Sequence, residues 1–162
     1  MTAEYKKIVE LSLPSILGLE LVAVDASASL AKLMGFSDDR IQDLMTAVEE
    51  ACLNAIEHGN RQNADMKVLV ALTVDETKLQ IDVHDRGKTA FNPDIKKPDI
   101  DAKVSGEDSR TRGWGLFLIK SLVDEVEFKW SPETGNITRM VIYLKQPKME
   151  ANNASGMQSY SS

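Results

Sequence analysis

The chain has 162 residues, 43% of them hydrophobic and 27% charged, and carries a formal net charge of −6. One domain of this length buries roughly two-thirds of its unfolded surface, and the composition lacks the low hydrophobicity and charge excess of a disordered chain. An acidic balance argues against a nucleic-acid footprint, which needs concentrated Lys and Arg. The amino terminus has no secretory-signal pattern, and no apolar run approaches the ~20 residues that span a bilayer. A cytoplasmic protein with no membrane and no direct nucleic-acid partner is expected.

Along the chain, apolar alternation over residues 8–13 predicts an edge strand ended by Pro14. The recurrence of Leu17, Leu21, Val24, Ala28, Ala31 and Met34 predicts a helix over 14–34, stopped by Gly35. Ser37 is a good N-cap for a second helix, whose stripe of Ile41, Leu44, Met45, Val48, Cys52, Ala55 and Ile56 runs to about His58. Cys52, the one cysteine, reads as a small core residue. Gly59 and Asn60 are expected to take left-handed conformations at the helix end.

Two strands over 66–74 and 78–84 should form a hairpin across Asp75-Glu76-Thr77. Residues 86–111 show neither period and read as a long loop, of the length that lids and binding loops have. A third helix over 116–123, a strand over 125–130, a turn over 132–136 and a last strand over 137–144 complete the pattern. The polar stretch after residue 146 reads as a disordered tail.

Three places could carry chemistry. Glu50 and Asn54, four residues apart, stack on one helical face, with Glu57 and His58 following on that side. A carboxylate and a carboxamide so spaced can serve a hydrated Mg²⁺, which prefers oxygen ligands, although solvated Glu/Asn pairs look the same. Asp85 ends an alternating strand before Arg86-Gly87, so its carboxylate stands at a turn where it could accept the amine of adenine. A plain Asp-x-Gly turn has the same sequence. Gly113 and Gly115 open a helix beside Arg110 and Arg112, where exposed N–H groups and the helix dipole favour phosphate. Neither a P-loop nor a Rossmann fingerprint is present.

The order of these features resembles a known family. Glu49 through Gly59 is similar to the N box, Asp85-Arg86-Gly87 to the first glycine box, and Arg112-Gly113-Trp114-Gly115-Leu116 to the second, of the ATPase superfamily of gyrase B, heat-shock chaperones, histidine kinases and mismatch-repair proteins. The short chain and residues 115–126 more narrowly resemble the bacterial anti-sigma-factor serine kinases. The likeness covers 8–144.

This resemblance implies an α+β fold, a two-layer sandwich of the Bergerat type with a mixed, mostly antiparallel sheet covered on one face by about three helices. It implies an ATPase domain over 1–146 with a lid over about 88–111, binding ATP and Mg²⁺. By motif position Asn54 would bind Mg²⁺, Glu50 would be the general base, Asp85 and Gly87 would receive adenine, and Arg112, Gly113, Gly115 and Leu116 would wrap the phosphates. Thr138 matches a threonine near the adenine. Glu49 is the rival base, but lies about 100° round the helix from Glu50, off the Asn54 face.

The activity so implied is serine/threonine-protein kinase and anti-sigma factor. Its partners would be an anti-sigma-factor antagonist, as phosphorylation substrate, and a sigma factor. Homodimerisation through the first strand and helix is implied as well. The alternative is an ATP-responsive binding regulator without kinase activity, motivated by Lys88-Thr89-Ala90, where the family usually has another glycine. A histidine-kinase catalytic domain is disfavoured, since no helical hairpin for dimerisation and phosphoacceptance precedes Ile8.

Overall fold

A computed structural model describes residues 6–90 and 112–145, with Lys7, Arg112 and Gly113 described by their backbone alone. The elements in chain order are β1 (Lys7–Pro14), α1 (Glu20–Met34), α2 (Asp38–Asn54) running on into a π-helical turn (Ala55–Gly59), β2 (Lys67–Val74), β3 (Lys78–His84), α3 (Arg112–Leu122), β4 (Glu125–Ser131) and β5 (Gly135–Tyr143). The strands form one sheet in the order β1-β2-β3-β5-β4, with β1 at the edge as its sequence predicts. Each pairing is antiparallel. Residues 91–111 of the expected lid and the tail from residue 146 lie outside the described residues.

Alternation decides which way the sheet faces. Val68, Val70 and Leu72 on β2, Leu79, Ile81 and Val83 on β3, and Met140 and Ile142 on β5 are buried in one cluster with Leu44, Val48 and Ile56 of the second helix and Ile119 of the third. Burying each large aliphatic side chain contributes about 1.5–3 kcal/mol, so this helix-on-sheet contact is the main source of stability. The other sheet face carries the cross-strand partners Asp82 and Arg139, joined by bidentate bonds of 2.8 and 2.9 Å.

The local signals act as the sequence predicts at two points. Ser37 caps α2 by accepting the Arg40 N–H at 3.4 Å. The Asp75 carboxylate closes the β2–β3 hairpin by accepting the Thr77 N–H and hydroxyl at 2.8 Å and the Lys78 N–H at 3.0 Å. Partial burial pushes that carboxyl up, but the Thr77 and Lys78 donors outweigh it and hold Asp75 below its ordinary value.

Helix one differs from its expected span and face. Pro14 is still paired with Lys67 in the sheet, and Ser15 is tied to Met66 O through both its amide (3.1 Å) and its hydroxyl (2.7 Å), so a helix cannot begin there. Gly18 then turns at φ 99° and α1 starts at Glu20. Its buried face is Ala23, Val24, Ser27 and Ala31, whereas Leu17 and Leu21, counted into the stripe, are exposed. Small residues face inward because α1 packs closely on α2.

Cys52 is fully buried, and that burial, with the nearby negative charge of Glu20, pushes its thiol up to about 12. Since the thiolate is the nucleophile, native protein at pH 8 is expected to resist iodoacetamide and to react once unfolded in urea. Mass spectrometry of the native protein after an hour's exposure checks this; full alkylation would contradict it.

Candidate nucleotide site

The candidate site forms where the end of α2, the loop after β3 and the first turn of α3 meet. Glu50 and Asn54 lie on the α2 face that α3 covers. A Cβ placed on Gly115 would stand 2.7 Å from Glu50 Oε2 and 3.2 Å from Asn54 Nδ2. The two glycines lie inside α3, which begins at Arg112 rather than at 116, and Gly115 is what allows the helix to approach these side chains. Of Arg112 and Gly113 the structure describes only that they open α3. The rival Glu49 is half-buried; the carboxylate against Gly115 is that of Glu50.

The close fit at Gly115 gives a direct expectation. Gly115→Ala gains ~1 kcal/mol of helix propensity, which offsets part of the steric cost, so the melting temperature should shift by only a few degrees. Nucleotide-dependent activity should fall at least tenfold, because the added methyl displaces Glu50 or Asn54. A thermal melt beside an activity assay checks the pair of outcomes, and unchanged activity would show that the contact is slack.

Asn54 is 6% exposed, and its Nδ2 is a buried atom without a hydrogen-bond partner among the described residues, an arrangement proteins rarely leave in place. Rotating the carboxamide by half a turn exchanges N and O and sets a hard carbonyl oxygen in the same place, beside the Glu50 carboxylate. That donor set fits a hydrated Mg²⁺.

Beyond Asn54 the helix widens. Asn60 N–H donates to Ala55 O at 2.8 Å, the five-residue spacing of a π turn, a feature common at functional sites. The extra residue in the turn brings Gly59 against Asp85: a Cβ on Gly59 would lie 2.2 Å from Asp85 Cγ. Neither Gly59 nor Asn60 is left-handed, contrary to the sequence reading. Positive φ instead falls on Arg61 (51°) and Gln62 (55°), and Gly59 is required for space.

Asp85 is 2% exposed. Its N–H continues the β3–β5 ladder to Asn136 O at 3.0 Å. Its Oδ1 accepts from Gly87 N–H at 2.6 Å, Asn136 Nδ2 at 3.1 Å and Asn136 N–H at 3.4 Å. Thr138, 3% exposed, follows two residues after Asn136 on β5 and pairs with Val83 across the sheet; Leu116 is buried in the core at the base of α3.

Sequence reasoning passed over Asn136, Gly59 and Asn60, which looked like turn or cap chemistry, and Trp130, which read as the end of a strand. Asn136 Nδ2 also donates to Thr89 O at 3.1 Å, and Trp130 Nε1 donates to Gly87 O at 3.2 Å. The stretch where Lys88-Thr89-Ala90 replaces the expected glycine is thus held to β4 and β5 by two carbonyl contacts.

The sequence model of the histidine kinase-like ATPase domain family matches residues 19–142. The serine-protein kinase RsbW of Listeria monocytogenes serotype 4a (strain HCC23) is 34% identical over 128 residues, which cover 77% of this chain and 80% of the relative. The chain belongs to the RsbW family of histidine kinase-like ATPase domains. The serine-protein kinase RsbW of Bacillus subtilis (strain 168) is 30% identical over 126 residues, covering 76% and 77%. Among solved structures, the RsbU and RsbW domains of a Mycobacterium tuberculosis protein share the fold at TM-score 0.60 and 17% identity. That match covers 84% of this chain and 32% of the solved one. The α+β sandwich and its ATP-binding architecture follow from this membership. No helix among the described residues is long and apolar enough to cross a membrane.

Proposed function

We propose that this chain is an ATP-dependent serine/threonine-protein kinase that phosphorylates an anti-sigma-factor antagonist and also sequesters a sigma factor. The observation that carries the reading is the shared α2 face of Glu50 and Asn54, closed by Gly115 and continuous through Gly59 with Asp85, in a chain whose relatives are named serine-protein kinases. Asp85 accepts the exocyclic amine of adenine, with Thr138 nearby and Gly87 leaving room for the base. Arg112 and the first turn of α3, with Gly113, Gly115 and Leu116, bring N–H groups and positive charge to the phosphates. Asn54 holds Mg²⁺, which when bound neutralises phosphate charge.

Glu50 accepts the proton of the substrate serine as its oxygen forms the new bond to the γ-phosphorus. The bond from that phosphorus to the bridging oxygen breaks, and ADP leaves with the electron pair. Catalysis of this kind is largely positioning and charge stabilisation. The protein would act in the cytoplasm as a homodimer, and the exposed Ile16, Leu17, Leu21 and Val22 around the start of α1 support an interface there.

The test is transfer of label from γ-³²P-ATP to an antagonist-type protein of the source cell. Label on a serine or threonine of the antagonist is expected. Nucleotide-dependent partner capture without any label would replace the kinase with a binding regulator.

A further inference from the structure

Asn60 is 2% exposed and engages three separate chain segments through one carboxamide. Its Nδ2 donates to Ser15 Oγ at 2.9 Å and to Lys67 O at 3.1 Å, and its Oδ1 accepts the Arg86 N–H at 2.7 Å. The backbone at Asn60 is ordinary, with φ −91° and ψ 0°, so a left-handed turn is not what calls for asparagine here. The side chain is.

Arg86 is the residue directly after Asp85, at the point where β3 has ended. On one side the ladder bond from Asp85 N–H fixes the chain. On the other, Gly87 N–H returns to the Asp85 carboxylate. Between them, the Arg86 amide is held by Asn60, which itself follows Gly59, the residue in contact with the Asp85 carboxylate. Asn60 therefore sets the helix end and the Asp85 loop at one fixed separation. Through the fully buried Ser15, whose hydroxyl donates to Met66 O at 2.7 Å, the same carboxamide ties that loop to the junction of β1 and α1.

We propose that Asn60 is a positioning residue for base recognition, aiming Asp85 by anchoring the Arg86 N–H. The inference rests on the reading of Asp85 as the acceptor of the adenine amine. A hydrophobic side chain of similar size fills the space and leaves the Arg86 amide unpaired, so the loop relaxes and Asp85 loses its alignment. Aspartate keeps an acceptor toward Arg86 while losing both donors. Ser15→Ala removes a partner of Nδ2 and leaves the Arg86 contact in place.

The experiment measures the dissociation constants of Mg-ATP and Mg-inosine triphosphate, which carries a carbonyl in place of the amine, for the full chain and its variants, with a thermal melt for each. The native protein should prefer ATP by at least ~10-fold, since a site built around a substrate N–H rejects the analogue without it. N60L should cut that preference to roughly a third or less, while S15A and N60D lower the melting temperature and keep the preference within about twofold. Should N60L fail to fold, N60S, too short to reach the Arg86 amide, is read in the same way. An N60L or N60S protein with the native preference and only a lowered melting temperature overturns the inference, because that is what a structural role predicts. If D85N leaves the preference unchanged, or the native protein has none, the reading of Asp85 fails and the inference falls with it.

Discussion

Glu50→Gln is expected to lower the rate of phosphate transfer by about 10²–10⁴, the range that a positioned general base contributes, or roughly 3–5 kcal/mol of transition-state stabilisation. The substitution keeps the shape of the side chain and removes its charge. Glu50 is half-buried on a helix whose core face is made by Leu44, Val48 and Cys52, so the fold and melting temperature should hardly change. ATP binding should stay within a few-fold, since the adenine contacts proposed above lie at Asp85. Glu49→Gln is the matched control: one position away and about 100° round the helix, it should leave the rate within a factor of a few. Single-turnover labelling of the antagonist compares the two. Equal losses in both variants, or none in Glu50→Gln, would remove Glu50 from the role of base.

How far the sequence discloses this site depends on whether a feature is local. The hairpin, the Ser37 cap and the edge position of β1 were legible, because alternation, a capping hydroxyl and a terminal proline act within a few residues. The pairing of Glu50 with Asn54 was legible from spacing alone, but not that α3 covers it, since that contact depends on the absence of a side chain at Gly115 far along the chain. The start of α1 was misread because Leu17 and Leu21 fit a helical period, while the strand pairing of Pro14 and the bonds from Ser15 to Met66, both long-range, hold that segment out of the helix. Gly59-Asn60 has the composition of a C-cap and serves another purpose: the glycine leaves space for the Asp85 carboxylate just past β3, and the asparagine bonds to residues 45 and 26 positions away. The family resemblance supplied roles for Asp85 and Asn54; it did not supply the residues that hold them.

Gly59→Ala should be nearly as damaging to nucleotide binding as loss of Asp85 itself. The new methyl carbon would fall 2.2 Å from Asp85 Cγ and 2.3 and 2.6 Å from its two oxygens, so one side must move. The π turn cannot withdraw easily, because Asn60 N–H is bonded to Ala55 O and Asn60 Oδ1 to the Arg86 N–H. The carboxylate must then leave the Gly87 and Asn136 donors. Overpacking of this sort costs about 1–3 kcal/mol, survivable for a domain with 5–15 kcal/mol in hand, so a folded protein with at least ~10-fold weaker ATP binding is expected, about 1.4 kcal/mol or more of binding free energy. Gly35→Ala separates this from general strain. Gly35 has φ 88° and open space around its Cβ position, so its alanine variant loses ~1–2 kcal/mol of stability to the left-handed backbone and should bind ATP normally. Calorimetric titration of both variants decides the matter: if Gly59→Ala binds ATP as tightly as Gly35→Ala does, Asp85 either tolerates displacement or does not touch the base.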